Sequence, residues 1–194
     1  MSELALFLFT TLIDLVVLLL VIRVFSSDWV SEYNQINKAI HLMTDRLLPL
    51  GSIRSSQKTM SIAILLALMI QFFSLLILFN LNCIKSPNIL ELMGLAVLSI
   101  IDLVLSIFFF AIIMHAIFSW LLPNQHSSVS DFIRQLVVPI LNPIRRRLPV
   151  SAGLDFSPFI AIVVIQSISL ILPRNITNNF LLEGIVCTNL AHLV

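Results

Sequence analysis

The sequence predicts an all-α membrane protein: four transmembrane helices forming two parallel repeats, each with an amphipathic segment between its helices. Three observations carry that reading. The 194 residues are 59% hydrophobic and 11% charged, with a mean hydropathy of +1.06. An ordinary soluble domain carries about 25% charge, so this chain could not cover a water-facing surface. Four apolar runs approach the roughly 20 residues that a bilayer crossing needs. Finally, a pattern built around Ile-Asp-Leu-Val recurs in the first and third runs. The net charge of +1 gives no general attraction to nucleic acid.

The first span is 4–25, "LALFLFTTLIDLVVLLLVIRVF". A cleaved signal would need a basic start and a short apolar core. Only Glu3 precedes this run, and no small-x-small site follows it, so it is expected to be retained. Next, "YNQINKAIHLMTDRLLPLGSIR" places Ile36, Ala39, Ile40, Met43 and Leu47 on one helical face. The second span is 60–81. The third lies within 89–122, with 94–121 as its membrane part, tilted or protruding.

"SDFIRQLVVPILNPIRRRLP" again makes an apolar stripe, from Phe132, Ile133, Leu136, Val137, Ile140 and Leu141. Ser130-Asp131 reads as its N-cap. Pro139 and Pro143 should bend or end that helix. Arg145, Arg146 and Arg147 then fall at headgroup depth, each gaining about 1 kcal/mol from an anionic leaflet. Pro149, Gly153 and Pro158 turn the chain back, and Asp155 with Ser157-Pro158 caps the fourth span, 156–172. The tail, 175–194, carries Asn178, Asn179, Glu183 and His192 and reads as an interfacial helix or a frayed end.

Nine of the eleven lysines and arginines lie in the segments after the first and third spans, and only Lys85 and Arg174 lie opposite. By the positive-inside rule those segments face the cytoplasm and both termini face outward. The repeat pairs "LIDLVVLLLVIRVFSSDW" with "IIDLVLSIFFFAIIMHAIFSW", followed in each half by an amphipathic segment and a second span. The halves are then 1–85 and 89–174, in the same orientation.

Two aspartates and two glutamines fall inside the spans. Asp14 and Asp102 occupy matching places in the repeat, and each costs upward of about 3 kcal/mol at that depth unless partnered. They read either as an ion or proton site shared by the repeats or as protonated packing residues. Gln71 and Gln166 can hydrogen-bond across the bundle. His115, roughly 20 Å along the helix from Asp102, cannot pair with it locally. His41, His126 and His192 show no zinc spacing. Cys83 and Cys187 both fall on the outer side, where a disulfide is permitted but not required. No haem-attachment, phosphate-loop or hydrolase motif occurs, so no cofactor or metal is expected and nothing points to an enzyme.

The segment "AIFSWLLPNQHSSVSDFIRQLVVPILNPIRRRLPVSAGLDFSP" resembles the signature of the YggT family of small membrane proteins. The matching residues are Ser119, Trp120, Pro139, Pro143, Arg145, Arg146, Pro149, Gly153, Asp155, Ser157 and Pro158. His115 stands where the family has arginine. The first half keeps Arg23, Trp29, Tyr33-Asn34 and Pro49 but lacks the double arginine and Asp-x-Ser-Pro. The resemblance implies an integral protein of a bacterial inner membrane. It implies an accessory role in osmotic tolerance and ion homeostasis, or in assembling membrane complexes. Partners would be the lipid bilayer and other membrane proteins or a second copy. The alternative is an oligomeric ion or solute pathway around the two aspartates.

Overall fold

The computed structural model describes residues 3–46, 56–82, 88–121, 127–147 and 156–172. Among them the fold is all-helical: α1 (Glu3–Trp29), α2 (Gln35–Asp45), α3 (Ser56–Asn82), α4 (Ile89–Leu121), α5 (Ser128–Arg145) and α6 (Ser157–Ile171). Within α1, α3 and α4 the segments Leu8–Trp29, Met60–Asn80 and Ile89–Ser119 are long and apolar enough to cross a membrane. The fourth expected span is α6, an apolar helix of 15 residues. At 1.5 Å per residue it is about 22 Å long, short of a ~30 Å hydrocarbon core.

The first helix continues a full turn past the expected end at Phe25, because its polar residues are satisfied within it. The Ser26 and Ser27 hydroxyls donate back to the Arg23 and Val24 carbonyls, at 3.2 and 2.9 Å. α1 packs on α3, α3 on α4, and α4 on α6; α2 lies against α1, and α5 against both α4 and α6. Where α1 meets α4, the Phe25 and Phe108 rings stand edge to face at 5.0 Å, and Trp29 lies 5.8 Å from Phe108. Phe108, Ile112, Leu136, Val137, Leu141, Ala161 and Ile165 extend that contact into one buried cluster joining α4, α5 and α6. A second cluster, Val17, Leu20, Val21 and Ala67, seals α1 against α3.

Three local expectations are corrected. α5 does not begin at Ser130-Asp131: Ser127 is the N-cap, its hydroxyl accepting from the Ser130 amide at 3.1 Å. Asp131 instead falls in the first turn, where it suits the helix dipole and pairs with Arg134 at 3.3 Å. Nor does α5 end at Pro139 or Pro143; it runs through both to Arg145. The prolines are four apart and both exposed, so their rings stack on the outer face and leave the buried stripe whole. Finally, the expected face of α2 is met only in part: Ile40 is buried and Ile36 packs beside it, but Ala39 and Met43 are exposed, and Asn37 and Thr44 are buried in their place. Leu47 lies outside the described residues. Pro158 does sit in the first turn of α6, but the N-cap there is Phe156, without a side-chain cap.

Candidate functional site

The rotation of α2 has a single cause, the guanidinium of Arg23. This side chain leaves α1 nine residues beyond Asp14 and is only 7% exposed. A buried arginine cannot shed its charge, so it must collect acceptors. It takes them from the last turn of α2. Nη2 meets Asp45 Oδ1 at 2.6 Å, while Nη1 donates to Thr44 Oγ1 and to the His41 carbonyl, the latter at 3.3 Å. A cation at a helix C-terminus also gains from the helix dipole. The Thr44 hydroxyl in turn donates to the Ile40 carbonyl at 2.7 Å, so both of its roles are filled. The half-buried His41 imidazole is pulled below its ordinary pKa, first by burial and then by Arg23, with Asp45 and Glu32 partly opposing.

Two further bonds tie this joint to α5. The Asn34 side-chain oxygen caps α2 by accepting from the Ile36 amide at 2.9 Å, while its amide nitrogen donates to the Ser128 carbonyl at 2.9 Å. The Ser31 amide donates to Gln135 Oε1 at 2.6 Å. Asn37 donates to the Val30 and Ser31 carbonyls at 3.4 and 3.3 Å and holds the elbow between α1 and α2 closed. The two amphipathic helices therefore form one unit, fixed to α1 by a buried charge and to each other by short polar bonds.

The predicted basic motif is divided by the structure. Arg145 Nε donates to the Ser157 hydroxyl at 3.3 Å, linking the end of α5 to the start of α6, and Ser157 is fully buried. Arg146 and Arg147 are exposed. Ser119 is exposed near the end of α4, Trp120 falls in that helix's last turn, and His115 is half-buried above them. Pro149, Gly153 and Asp155 lie outside the described residues, as do Pro49, both cysteines, His126 and the tail.

The intramembrane polar residues stand on four different helices. Asp14 on α1 and Gln166 on α6 are exposed; Gln71 on α3 and Asp102 on α4 are half-buried. Asp102 lies across α4 from Val104 and Ile107, which pack toward the Val17, Leu20, Val21 and Ala67 cluster, so it faces away from α1. Among the described residues no three His, Cys, Asp or Glu side chains converge as metal ligands. Sequence reading passed over Thr44, Asp45, Asn37 and Gln135; a signal for them is that Arg23 ends an apolar run with no acid three or four residues from it on the helix.

Comparison with known proteins places this geometry. The family described as CCB3/YggT matches residues 94–176. A Haemophilus influenzae protein is 32% identical over 187 residues, covering 94% of this chain and 93% of its own length. The YggT protein of Escherichia coli K12 is 28% identical over 187 residues, covering 92% and 95%. A Pseudomonas aeruginosa protein is 32% identical over 88 residues, 45% of each chain. None of these names assigns an activity. No solved structure matches the chain.

Proposed function

This chain belongs to the CCB3/YggT family, and we propose that it acts as a non-enzymatic accessory protein of the bacterial inner membrane. On this reading α2 and α5 form a fixed cytoplasmic platform that supports osmotic and ion homeostasis or the assembly of membrane complexes. One observation carries the proposal: Arg23, Asn34 and Gln135 lock the two amphipathic helices into one body, yet leave its outer surface apolar and basic. Tyr33, Leu42 and Met43 are 88%, 72% and 62% exposed, and Lys38, Arg46, Arg146 and Arg147 lie on exposed positions of the same segments. Such a surface suits a lipid headgroup boundary and an acidic protein partner. The order span, amphipathic helix, apolar helix occurs twice, α1–α2–α3 and α4–α5–α6, which supports a parallel repeat. The excess of basic residues in and around α2 and α5 supports the cytoplasmic side for them and the outer side for both termini.

The test separates charge from shape. Lysine keeps the charge of Arg146 and Arg147 but loses the planar fork that grips a carboxylate or phosphate in two places. Arg146→Lys with Arg147→Lys should insert at normal levels yet fail to restore growth under osmotic stress in cells lacking the gene. Full rescue would reduce this surface to a membrane anchor. A second reading, an ion or solute pathway, draws support from the carboxyl groups of Asp14 and Asp102 within the spans. It predicts ion flux in liposomes that Asp14→Asn with Asp102→Asn abolishes; the platform reading predicts no flux from either protein.

A further inference from the structure

The four longest apolar helices contact each other mainly as an open row. α1 lies on α3, α3 on α4, and α4 on α6; α1 also touches α4, Phe25 and Trp29 meeting Phe108, but α1 and α6 make no extended contact. The polar residues of the spans sort along this row. The inner helices α3 and α4 carry half-buried Gln71 and Asp102, while the end helices α1 and α6 carry exposed Asp14 and Gln166. A carboxyl group facing lipid alone is among the costliest placements in a membrane, and a carboxamide left there also lacks a partner. Lipid is a sufficient cover for the leucines around Asp14, but not for Asp14.

We propose that two copies of this chain close the row into a ring, α1 of each packing on α6 of the other, with the Gln166 amide of one donating to the Asp14 carboxyl of its partner. Three features fit. The first is depth. Asp14 lies nine residues along α1 from Arg23, which is bonded to the end of α2; Gln166 lies nine residues along α6 from Ser157, which is bonded to the end of α5. Both groups therefore stand about 13–14 Å above the amphipathic layer. The second is surface. Thr11, Leu12 and Leu15 are exposed around Asp14 on α1, and Val163, Ser167 and Leu170 are exposed around Gln166 on α6. The third is direction. α3 and α4 already pack as a helix leaving the amphipathic layer against one returning to it, and α6 against the partner's α1 repeats that arrangement. A two-fold axis along the membrane normal makes the contact twice and leaves neither end uncovered.

The test uses the full chain in membranes with both native cysteines changed to serine. Leu12→Cys and Ser167→Cys sit at matching depth on these two exposed faces. Mild oxidation should give a covalent dimer when the two variants are co-expressed, and at least tenfold less from either alone. Linking of Leu12→Cys chains to each other would overturn the arrangement in favour of α1 against α1. So would a crosslink that forms only after residues 173–194 are removed, since the tail would then be the cover for these faces. A monomeric mass with no crosslink would leave lipid as the cover and overturn it too. The polar pair has its own readout. At two interhelical hydrogen bonds per dimer, Asp14→Leu or Gln166→Leu should each weaken dimerisation roughly eightfold, while Asp14→Asn keeps it. Undiminished dimers from both leucine variants would overturn the pairing.

Discussion

Removing Asp45 should loosen α2 more than removing the arginine it serves. In Asp45→Ala the Arg23 guanidinium stays buried, charged and bonded only to neutral acceptors. Breaking a fully buried ion pair costs about 3–5 kcal/mol. Here the Asp45 side chain is 54% exposed against 9% for Arg23, so water already screens one partner and about 2 kcal/mol is the better figure. Arg23→Met leaves a different residue. Asp45 can hydrate, Thr44 keeps its bond to the Ile40 carbonyl, and methionine fills much of the vacated alkyl volume. That change should cost about 1 kcal/mol. The assay is maleimide labelling of Ile40→Cys, a position 8% exposed in the docked helix, in a chain lacking the native cysteines. If labelling requires undocking, its rate should rise about 30-fold in Asp45→Ala and about fivefold in Arg23→Met. The double variant should match Arg23→Met alone, because the buried charge is gone. Additive effects in the double variant, or faster labelling in Arg23→Met than in Asp45→Ala, would refute the claim that Arg23 positions α2.

The same probe reads two further outcomes. The imidazole of His41 has a lowered pKa in the docked helix, so the undocked helix takes up the proton more readily. Docking is then fully stable above the ordinary histidine pKa of about 6.5 and weakens as pH falls below it; labelling at Ile40→Cys, divided by that of a fully exposed cysteine at the same pH to remove the loss of thiolate, should rise between pH 7.5 and 5.5, and His41→Gln should flatten that slope. A pH-independent ratio in the parent chain would rule His41 out as the cause. Phe108→Ala should lower thermal stability by about 3–5 kcal/mol, because Phe108 is buried against the rings of Phe25 and Trp29. Phe110→Ala, next but one and 64% exposed, should cost under about 1 kcal/mol in the same melt, and equal losses would show that the aromatic contact does not hold α1 to α4.

What was legible in the sequence follows the range of each signal. The three long spans were readable because hydropathy is summed over about 20 residues and no single neighbour can reverse it. The docking face of α5 was readable as well, since its stripe of Phe132, Leu136, Val137 and Leu141 meets apolar partners on α4 and α6. The face of α2 was legible in part. Of the stripe Ile36, Ala39, Ile40, Met43 and Leu47, Ile40 is buried and Ile36 packs beside it, while Ala39 and Met43 are exposed and Asn37 and Thr44 are buried, with Arg23 bonded to Thr44 and to Asp45, 22 residues on. The cap of α5 was missed for a smaller reason: Ser127, Ser128 and Ser130 all suit an N-cap, and the pattern does not choose among them. Exposure of Asp14 and Gln166 depends on which helices become neighbours, and one sequence does not state that.

The two joints between span and amphipathic helix also differ in a way that ranks their fragility. At α2 the cation stands on the span and the helix supplies the anion; at α5 the cation, Arg145, stands at the helix end, and the Ser157 hydroxyl of the following helix is one of its partners. The first joint rests on a charge that must be neutralised, and α2 contributes only Ile40 as a buried apolar side chain. The second rests on Phe132, Leu136, Val137 and Leu141, with Arg145 as an addition. At roughly 1.5–3 kcal/mol for each large apolar side chain kept from water, the four side chains of the α5 seam hold that helix without help from the cation at its end. Loss of Arg145 should therefore leave α5 docked, whereas loss of Asp45 should release α2. A change that removes the acid would thus move the first amphipathic helix while the second stays in place, with the Asn34 and Gln135 bonds still tying the two together.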